Sequence, residues 1–246
     1  MSTNASSGNT PGFFDETYDA EQLPDPLPAT PFAMFEEWLA EAKDRKDIPN
    51  PNAMCLSTVS EAGQASSRMV LCKEVLADRG AVVFYTNYDS RKATELAGNP
   101  TCALLFHWDH QGRQVRTEGR VTKAPGEMSD AYFASRRWES RLGAHASAQS
   151  REIGSRQELV EKVMEKAVEL DLDLSKVIDG DGRDLVIPRP ANWGGFIVWA
   201  TGVELWCDGT GRVHERARWD REITQKADAG LDAFAGGVWR VSRLQP

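Results

Sequence analysis

Residues 53–59 read Ala53-Met54-Cys55-Leu56-Ser57-Thr58-Val59 and begin the strand-rich region from which the fold class is predicted. From here to residue 121 the hydrophobic pattern is that of short strands, which turn signals separate. Further strands are predicted at 66–75, 81–86, 102–108 and 114–121, and then at 195–199, 203–207, 213–219 and 238–241. Because long helices are few, the pattern predicts an α+β fold, mostly β with flanking helices, in which helices pack outside a small antiparallel barrel.

Helical patterns flank this strand region on both sides. Before it, Thr30-Pro31 is expected to open a helix, with a capping hydroxyl followed by proline at the first helical position. The apolar face of that helix is supplied by Phe32, Phe35, Trp38, Leu39 and Ala42. Other helices are predicted at 90–96, at 127–135 with a continuation toward Arg141, and at 155–169, while 171–187 reads as a polar connection. Residues 1–28 are rich in small polar residues and proline and predict a mobile arm, which leaves 29–246 as a single domain.

The composition restricts the classes of partner. The chain of 246 residues has a formal net charge of −8, which argues against nucleic acid, because phosphate backbones attract broad basic surfaces. No apolar run has the length of a membrane span, and residues 1–11 lack the features of a secretory signal. The four cysteines, Cys55, Cys72, Cys102 and Cys207, are scattered, and three lie in apolar runs. We therefore expect buried free thiols in a reducing compartment, a cytoplasmic location and no metal site.

A cationic segment, Arg212-Val213-His214-Glu215-Arg216, follows the strand-like residues 203–206. On a regular strand alternate side chains share a face, so Arg212, His214 and Arg216 would point the same way. Two fixed cations and an imidazole on one face favour an anionic or acceptor-rich ligand, since a protein core satisfies them poorly. The alternative is an exposed edge strand with solvated charges, and this segment alone does not separate the two.

A phosphate receptor is predicted where the strand at 81–86 leads into the helix at 90–96. The segment Tyr85-Thr86-Asn87-Tyr88-Asp89-Ser90-Arg91-Lys92 combines a strand end, a polar turn and a helix start, with Ser90 as the expected N-cap. Backbone N–H groups at a helix start, with Arg91 and Lys92 beside them, suit a phosphate. The alternative is a capped helix with a solvated first turn. Basic residues in a first turn oppose the helix dipole, which favours the anion.

Two further sets of donors have a structural alternative. Tyr132, Arg136 and Ser140 are spaced i, i+4, i+8, so on a helix that continues through residue 137 they would form one phosphate-binding stripe. Taken alone, a surface stripe with Tyr132 half in the core is the better interpretation. In the strand predicted at 66–75, the odd offset of Arg68 and Lys73 places them on opposite faces. For that pair, two side chains that reach water from the strand ends are the favoured interpretation.

In this order, these segments resemble the pyridoxine/pyridoxamine 5′-phosphate oxidase family. The resemblance runs from about residue 24 to residue 246. It is carried by RMVLCK at 68–73, FYTN at 84–87, SRK at 90–92, RQV at 113–115, YFASR at 132–136, QSR at 149–151, WGG at 193–195, ELW at 204–206, RVHER at 212–216 and WRVSRLQP at 239–246. Each segment is weakly specific by itself, and together in this order they are highly specific.

The resemblance implies an FMN-binding split β-barrel that works as a homodimer, with FMN held across the subunit interface. Matching positions imply that FMN is bound by Arg68, Met69, Val70, Leu71, Cys72, Lys73, Tyr85, Thr86, Arg91, Lys92, Gln114, Gln149, Ser150, Trp206 and Arg216. They imply that the substrate phosphate is bound by Lys73, Tyr132, Arg136 and Ser140. Arg212 and His214 are implied to lie over the pyridine ring of the substrate as the catalytic pair.

The implied reaction is the oxidation of pyridoxamine 5′-phosphate or pyridoxine 5′-phosphate to pyridoxal 5′-phosphate. A hydride would leave C4′ for flavin N5, and O₂ would reoxidise the flavin. Two alternatives stay open: a related flavin oxidase that acts on another aromatic substrate, as in the phenazine-pathway members of this superfamily, and a non-catalytic carrier of FMN or pyridoxal phosphate. The set of Tyr132, Arg136 and Ser140 favours a phosphorylated substrate.

Overall fold

A computed structural model of the chain describes residues 22–173, 185–226 and 230–246. Most of the predicted arm, residues 1–21, lies outside the described residues, and so do residues 174–184 of the connection predicted at 171–187. Among the helices that are described, none is both long and apolar enough to cross a membrane.

The described strands are antiparallel, and most of them join one sheet around a long central strand. They are β1 Ala53–Val59, β2 Ala65–Leu71, β3 Glu74–Leu76, β4 Ala81–Asn87, β5 Thr101–Trp108, β6 Arg113–Lys123, β7 Trp193–Cys207, β8 Glu215–Asp220, β9 Ile223–Gln225, β10 Phe234–Gly236 and β11 Arg240–Leu244. In the part of the chain that is described, nine strands form a sheet in the order β11-β8-β7-β6-β5-β1-β2, with β4 paired to β7 and to β3. The central strand β7 pairs with β6 along its length, with β4 at 193–199 and with β8 at 202–207.

Helices pack outside this sheet, as the sequence predicts. The described ones are α1 Phe32–Asp44, α2 Arg91–Gly98, α3 Gly126–Ala134, α4 Trp138–Ala146 and α5 Arg156–Glu169. All five apolar residues predicted for the face of α1 are buried. Within that face, Phe35 packs edge-on against Phe106 of β5 with ring centroids 5.0 Å apart. Such a pair contributes about 0.5–1.5 kcal/mol beyond the apolar area that it buries, so α1 closes one side of the core.

The strand β4 is buried on both faces because two different clusters cover it. Val82 and Phe84 belong to the main core together with α1, whereas Ala81 and Val83 belong to a second cluster with Trp199 of β7. This double cover explains the unbroken apolar run at 81–84. Polar side chains begin at the end of the strand, which is where the predicted phosphate receptor lies.

Two predicted strands have different bounds in the structure. The strand predicted at 66–75 ends at Leu71, and Lys73 lies in the link before β3. Arg68 and Lys73 therefore differ in surroundings because the strand ends between them, and not because of alternation along one strand. The strands predicted at 195–199 and 203–207 are one strand, β7, whose register with β6 shifts between Glu118 and Gly119. A bulge of this kind bends a strand without ending it.

Helix ends and the last two strands also differ from prediction. The helix predicted from 127 toward Arg141 is two helices, α3 and α4. The strand predicted at 238–241 begins at Arg240, and the strand predicted at 213–219 begins at Glu215. Pro31 has helical dihedral angles before α1, but no side-chain hydrogen bond caps that helix, so the predicted Thr30 cap is wrong.

The cysteines bear out the sequence prediction of buried free thiols. All four are free, three are buried, and Cys55 is half-buried. Burial raises the pKa of Cys72 and of Cys102 to about 12. Both thiols are therefore neutral at physiological pH and serve as small apolar side chains.

Candidate active site

A buried lysine lies where β4 leads into α2, at the predicted phosphate receptor. The Nζ of Lys92 donates to Gln149 Oε1 at 2.6 Å, to Thr86 Oγ1 at 3.0 Å and to Ser90 Oγ at 3.2 Å. Lys92, Thr86 and Ser90 are all buried. We call these four residues the lysine cluster. The structure thus brings together three residues of the predicted FMN set, of which Gln149 comes from a distant part of the chain.

No carboxylate among the described residues contacts Lys92 directly. The three oxygen atoms that accept from Lys92 are neutral. Burial and, to a smaller extent, the positive charge of Arg68 lower the pKa of Lys92 to about 8, while Glu95 opposes the change. A buried ammonium with neutral acceptors is stabilised by an anion, and a phosphate offers charge and several acceptor oxygens at once.

Ser90 stands at the N-cap of α2 but does not cap the helix. Its hydroxyl donates to the Asn87 carbonyl oxygen at 2.7 Å. Among the described residues, no side chain caps the N-terminus of α2. The predicted cap is therefore wrong, because the hydroxyl completes the turn before the helix instead. The first N–H groups of α2 remain without a side-chain cap, which agrees with an anion site.

Glu95 is a buried carboxylate that gathers hydrogen bonds from both sides of this region. Thr58 of β1 donates to it at 2.5 Å, and Ser66 of β2 donates to it at 2.8 Å. The Nη2 of Arg68 donates at 3.0 Å and the Nε of Arg91 at 2.8 Å. Burial acts to raise the pKa of Glu95, but these hydrogen bonds outweigh it and lower the pKa to about 2. The ionised carboxylate therefore holds two arginines of the predicted FMN set.

A cavity of about 570 Å³ opens beside Arg91 and Glu95. Ser150 and Arg151 line it as well. Ser150 has a φ of +71°, which is uncommon for a residue other than glycine and occurs often at ligand sites. Two residues of the predicted FMN set, Arg91 and Ser150, thus face one opening.

Three aromatic rings stack at Tyr85, the residue that precedes Thr86 in β4. The ring of Tyr85 lies 4.2 Å from that of Tyr132 and 5.6 Å from that of Trp193, measured between centroids, and is nearly parallel to the latter. Burial raises the pKa of Tyr85 to about 12, and the charge of Glu74 adds to the effect. Tyr85 belongs to the predicted FMN set and Tyr132 to the predicted substrate set. The structure therefore brings the two sets into contact, next to Thr86.

Arg136 lies over the Trp193 ring of this stack. Its Cζ lies 4.6 Å from the Trp193 ring centroid, and its Nη1 is buried without a hydrogen-bond partner among the described residues. Burial lowers the pKa of Arg136, which Tyr132 opposes, and a guanidinium stays charged in proteins all the same. Lys73 places its Nζ 5.4 Å from the Tyr132 ring centroid. A buried donor without an acceptor, near a second cation, suits a phosphate.

The predicted helical stripe of Tyr132, Arg136 and Ser140 is wrong. α3 ends at Ala134 and α4 begins at Trp138, so Arg136 lies between two helices. The cause is the extended backbone of Arg137, with φ −57° and ψ 145°. Ser140 is exposed in the first turn of α4, and in the described part of the chain it makes no side-chain contact with the other two.

The remaining predicted residues lie at the other end of β7. In the sheet register Trp206 stands opposite Gln114 of β6 and Arg216 of β8. The ring of His214 lies 4.6 Å from that of Trp206. Arg216 donates to Glu204 through its Nε at 2.9 Å, and Glu204 is buried. Trp206, His214 and Arg216 are thus brought together, with Glu204 as a fixed partner.

Arg212, His214 and Arg216 do not share a strand face, contrary to the prediction. Residues 210–212 form a 3₁₀ turn in which Gly211 and Arg212 both have a φ of +66°. β8 begins only at Glu215. Two successive left-handed residues turn the chain and abolish the two-residue period on which the prediction rested. Arg212 is exposed at this turn.

His214 has two alternative partners at one nitrogen. Its Nδ1 lies 3.2 Å from the Gly209 amide nitrogen and 3.1 Å from an oxygen of Asp208. When the ring is neutral, Nδ1 can accept from Gly209, which leaves the proton on Nε2. When the ring is protonated, Nδ1 donates to Asp208 instead. Either contact orients the ring, so His214 can present Nε2 as a donor to a ligand.

The segment 68–73 exposes its side chains unequally. Met69 and Leu71 point outward and are 64% and 40% exposed. Val70 packs against the core, and Cys72 is buried in it. For Val70 and Cys72, contact with a cofactor is therefore left to the backbone.

The two groups of predicted site residues lie far apart within one chain. Trp193, under Arg136, begins β7, while Trp206, beside His214, lies near its end. At roughly 3.3 Å per residue, the strand between them spans about 43 Å. We call Arg136 with the rings of Tyr85, Tyr132 and Trp193 the Arg136 group, and Trp206, His214 and Arg216 the His214 group. No contact among the described residues joins the two groups. A single ligand can therefore touch both groups only if one group belongs to one copy of the chain and the other group to a second copy.

Sequence reasoning missed Glu95, Thr58 and Ser66, and it used Trp193 as a family marker without a role in the site. The i, i+4 spacing of Arg91 and Glu95 was an available signal for an ion pair on one helix face. Thr58 and Ser66 gave no signal, because they come from two strands and meet Glu95 only through tertiary pairing.

The lysine cluster fits the phosphate of FMN, the cofactor that the resemblance implies. Lys92 supplies a buried cation with neutral partners, and Arg91 and Ser150 face the adjoining cavity. The sequence has no glycine-rich dinucleotide turn after a strand. The receptor therefore suits a mononucleotide with one phosphate.

Comparison with known proteins gives matches over most of the chain. Residues 40–167 match the family model described as pyridoxamine 5′-phosphate oxidase, and residues 193–246 match the pyridoxine 5′-phosphate oxidase C-terminal dimerisation region. The chain is 43% identical over 221 residues to the pyridoxine/pyridoxamine 5′-phosphate oxidase of Gluconobacter oxydans, which covers 89% of this chain and 96% of that protein. It is 40% identical over 228 residues to the enzyme of the same name from Cupriavidus necator, with 93% and 92% covered.

Solved structures share the fold. PhzG from Burkholderia lata, in complex with tetrahydrophenazine-1-carboxylic acid, aligns with a TM-score of 0.73 and 26% identity over 90% of this chain and 95% of that chain. A pyridoxamine 5′-phosphate oxidase-related, FMN-binding protein from Nostoc punctiforme aligns with a TM-score of 0.62 over 87% and 96%, and at 13% identity supports the fold alone. The predicted fold class, a mostly β split barrel with flanking helices, is confirmed. The family models and the relatives at 43% and 40% identity show that the chain belongs to the pyridoxine/pyridoxamine 5′-phosphate oxidase family.

Proposed function

We propose that this enzyme uses FMN to oxidise pyridoxamine 5′-phosphate, pyridoxine 5′-phosphate or both to pyridoxal 5′-phosphate, with O₂ as the electron acceptor. Bound FMN supplies the two-electron acceptor for the C4′–H bond of the substrate, and the protein supplies position and charge. The family membership supports the oxidase activity. Residues 29–246 form the proposed single domain, and the free cysteines fit a cytoplasmic, reducing location.

The observation that carries this proposal is a pair of cation sites at adjacent residues of β4. Thr86 belongs to the lysine cluster, while Tyr85 stacks on Tyr132 and on Trp193, whose ring lies under Arg136. The first site holds the buried Lys92 and the second the half-buried Arg136, and neither cation has a carboxylate in direct contact among the described residues. Two phosphates, one on the cofactor and one on the substrate, account for both sites.

In this proposal the lysine cluster, Arg91 and Ser150 hold the phosphate of FMN. Arg68 supports them through Glu95. The exposed side chains of Met69 and Leu71 offer apolar surface to the flavin or to the partner subunit. Gln114, Trp206 and Arg216, at the other end of β7, serve the FMN of the second copy.

The substrate phosphate is assigned to Arg136, Lys73 and Tyr132. The buried Nη1 of Arg136 gains an acceptor on binding, and the stacked rings exclude water from one side of the site. Arg212 and His214 of the second copy hold the pyridine ring and orient C4′, which makes the reaction effectively unimolecular. His214 is prepared for this by Gly209 and Asp208, which fix its ring.

A homodimer is required by this assignment. The Arg136 group and the His214 group lie at opposite ends of β7, and residues 193–246 match a dimerisation region. The exposed Met69 and Leu71 add apolar surface that a partner can cover. Each active site therefore takes the Arg136 group from one subunit and the His214 group from the other.

The likeness to PhzG supports a second candidate, a flavin oxidase that acts on an aromatic compound without a phosphate. The lower identity to PhzG, 26% against 43% for the B6 oxidase relative, favours the first function. A carrier without turnover is the third possibility.

A comparison of pyridoxamine 5′-phosphate with pyridoxamine tests the proposal. Purified protein is supplied with FMN, and peroxide and the aldehyde product are followed in air. We expect turnover of the phosphorylated substrate with kcat/KM at least about a hundredfold higher than for pyridoxamine, since a charge-assisted phosphate contact is lost. Equal values would favour the phosphate-free candidate. Binding of FMN and pyridoxal 5′-phosphate without peroxide formation would show a carrier.

A further inference from the structure

Glu95 joins three elements of the barrel at one carboxylate. It accepts from Thr58 on β1, from Ser66 and Arg68 on β2, and from Arg91 on its own helix. Its side chain is 6% exposed. A buried carboxylate is costly unless it is fully hydrogen-bonded, so the four partners explain how it is tolerated. They do not explain why a negative charge lies beside a site meant for a phosphate.

The two arginines depend on Glu95 to different degrees. Arg68 is fixed by several groups, since it also donates to Thr58, to Ser66 and to the Leu56 carbonyl oxygen. Arg91 has a 59% exposed side chain, and Glu95 is its one partner among the described residues. Without Glu95, the guanidinium of Arg91 is free to sample many rotamers in solvent.

Arg91 is therefore set in place before a phosphate binds. Its Nε bonds Glu95 at 2.8 Å, and both residues line the same cavity as Ser150. The bond through Nε leaves both terminal nitrogens of the guanidinium for a ligand. Fixing a side chain in its bound conformation raises affinity because less conformational entropy is lost on binding.

We propose that Glu95 is a positioning residue for the cofactor phosphate, which holds Arg91 in the orientation that binds the phosphate. The proposal rests on the assignment of the lysine cluster and Arg91 to the FMN phosphate. The effect that this proposal predicts for removal of Glu95 is opposite in sign to the effect that charge alone predicts. Removal of a negative charge next to a phosphate strengthens binding when only Coulomb attraction matters, whereas loss of positioning weakens it.

The test compares FMN with riboflavin, which has the same ring and no phosphate. The dissociation constants of both are measured by quenching of flavin fluorescence for the wild-type chain, Glu95→Gln and a control, Glu61→Gln. Glu61 lines the same cavity and is exposed, so its variant removes an equal charge nearby. The readout is the ratio of riboflavin Kd to FMN Kd.

We expect Glu95→Gln to lower this ratio by about tenfold, the effect of losing one charge-assisted hydrogen bond, while its riboflavin Kd stays unchanged. Glu61→Gln is expected to keep or raise the ratio. An unchanged or higher ratio for Glu95→Gln would overturn the proposal, and so would an equal loss of both flavins, which indicates a purely structural role. If Glu95→Gln does not fold, Glu95→Asp gives the same test, since it keeps the charge but shortens the reach to Arg91. A wild-type ratio near one would instead refute the phosphate site itself.

Discussion

Lys92 is expected to make the affinity for FMN fall as the pH rises above 8. Burial lowers the pKa of Lys92 to about 8 in the free chain. A bound phosphate stabilises the ammonium and raises its pKa in the complex, so FMN binding takes up a proton once free Lys92 is neutral. The affinity is therefore full below pH 8 and falls above it.

The size of the effect follows from the pKa. With a pKa of about 8, the protonated fraction of Lys92 in the free chain is about 0.9 at pH 7 and about 0.1 at pH 9. The Kd for FMN is therefore expected to rise about tenfold between these pH values, if the ammonium is kept in the complex. Lys92→Met removes the ammonium and should weaken FMN binding at pH 7 by about 10–100-fold.

Fluorescence titrations between pH 7 and pH 9 measure this effect. Riboflavin is the control ligand, because it shares any titration of the flavin ring but has no phosphate. Lys92→Met is the control variant, and it should fold at least as stably, since a buried cation without a counter-ion is removed. The same pH dependence in Lys92→Met, or with riboflavin on the wild-type chain, would refute the assignment of Lys92 to the phosphate.

Three further outcomes are expected. Arg136→Ala should raise KM for pyridoxamine 5′-phosphate about 10–100-fold with little change in kcat or FMN content. Arg137, an exposed neighbour paired with Glu139, provides the control, and Arg137→Ala should leave KM and kcat unchanged. Steady-state kinetics measure both constants, and a loss of kcat alone in Arg136→Ala would contradict the role of Arg136. At pyridoxamine 5′-phosphate concentrations far below KM, where each variant alone is nearly inactive, a refolded 1:1 mixture of Arg136→Ala and His214→Ala should recover about a quarter of the wild-type rate, because half of the dimers are mixed and each has one intact site; no recovery would contradict the shared site. Gly119→Ala should lower the free energy of unfolding in urea by about 1–3 kcal/mol, because the added Cβ collides with the carbonyl oxygen of Trp199 in β7. Gly126→Ala is the control and should leave the free energy of unfolding nearly unchanged, because the space around the added Cβ is open.

Much of the fold was predictable because it follows local patterns. Alternation along 53–59 gave β1, whose alternate residues are buried, and the apolar face predicted for the first helix is the buried face of α1. Prediction failed where the backbone leaves its regular period. The positive φ of Arg212 and the extended backbone of Arg137 are single-residue departures, and they displaced two predicted side-chain alignments. Hydrophobic periodicity carries no information about such breaks.

The chemical groups of this protein and the family that it resembles could be read from the sequence alone. Residues close in sequence could be assigned to one site, as with Thr86, Arg91 and Lys92, because a strand end and the helix that follows keep them together. The contact of Gln149 with Lys92 and the hold of Glu95 on Arg68 and Arg91 are visible only in the folded chain. These contacts link distant segments through strand pairing and burial. The separation of the two site groups along β7, from which we infer the dimer, was likewise decided by the sheet register and not by local sequence.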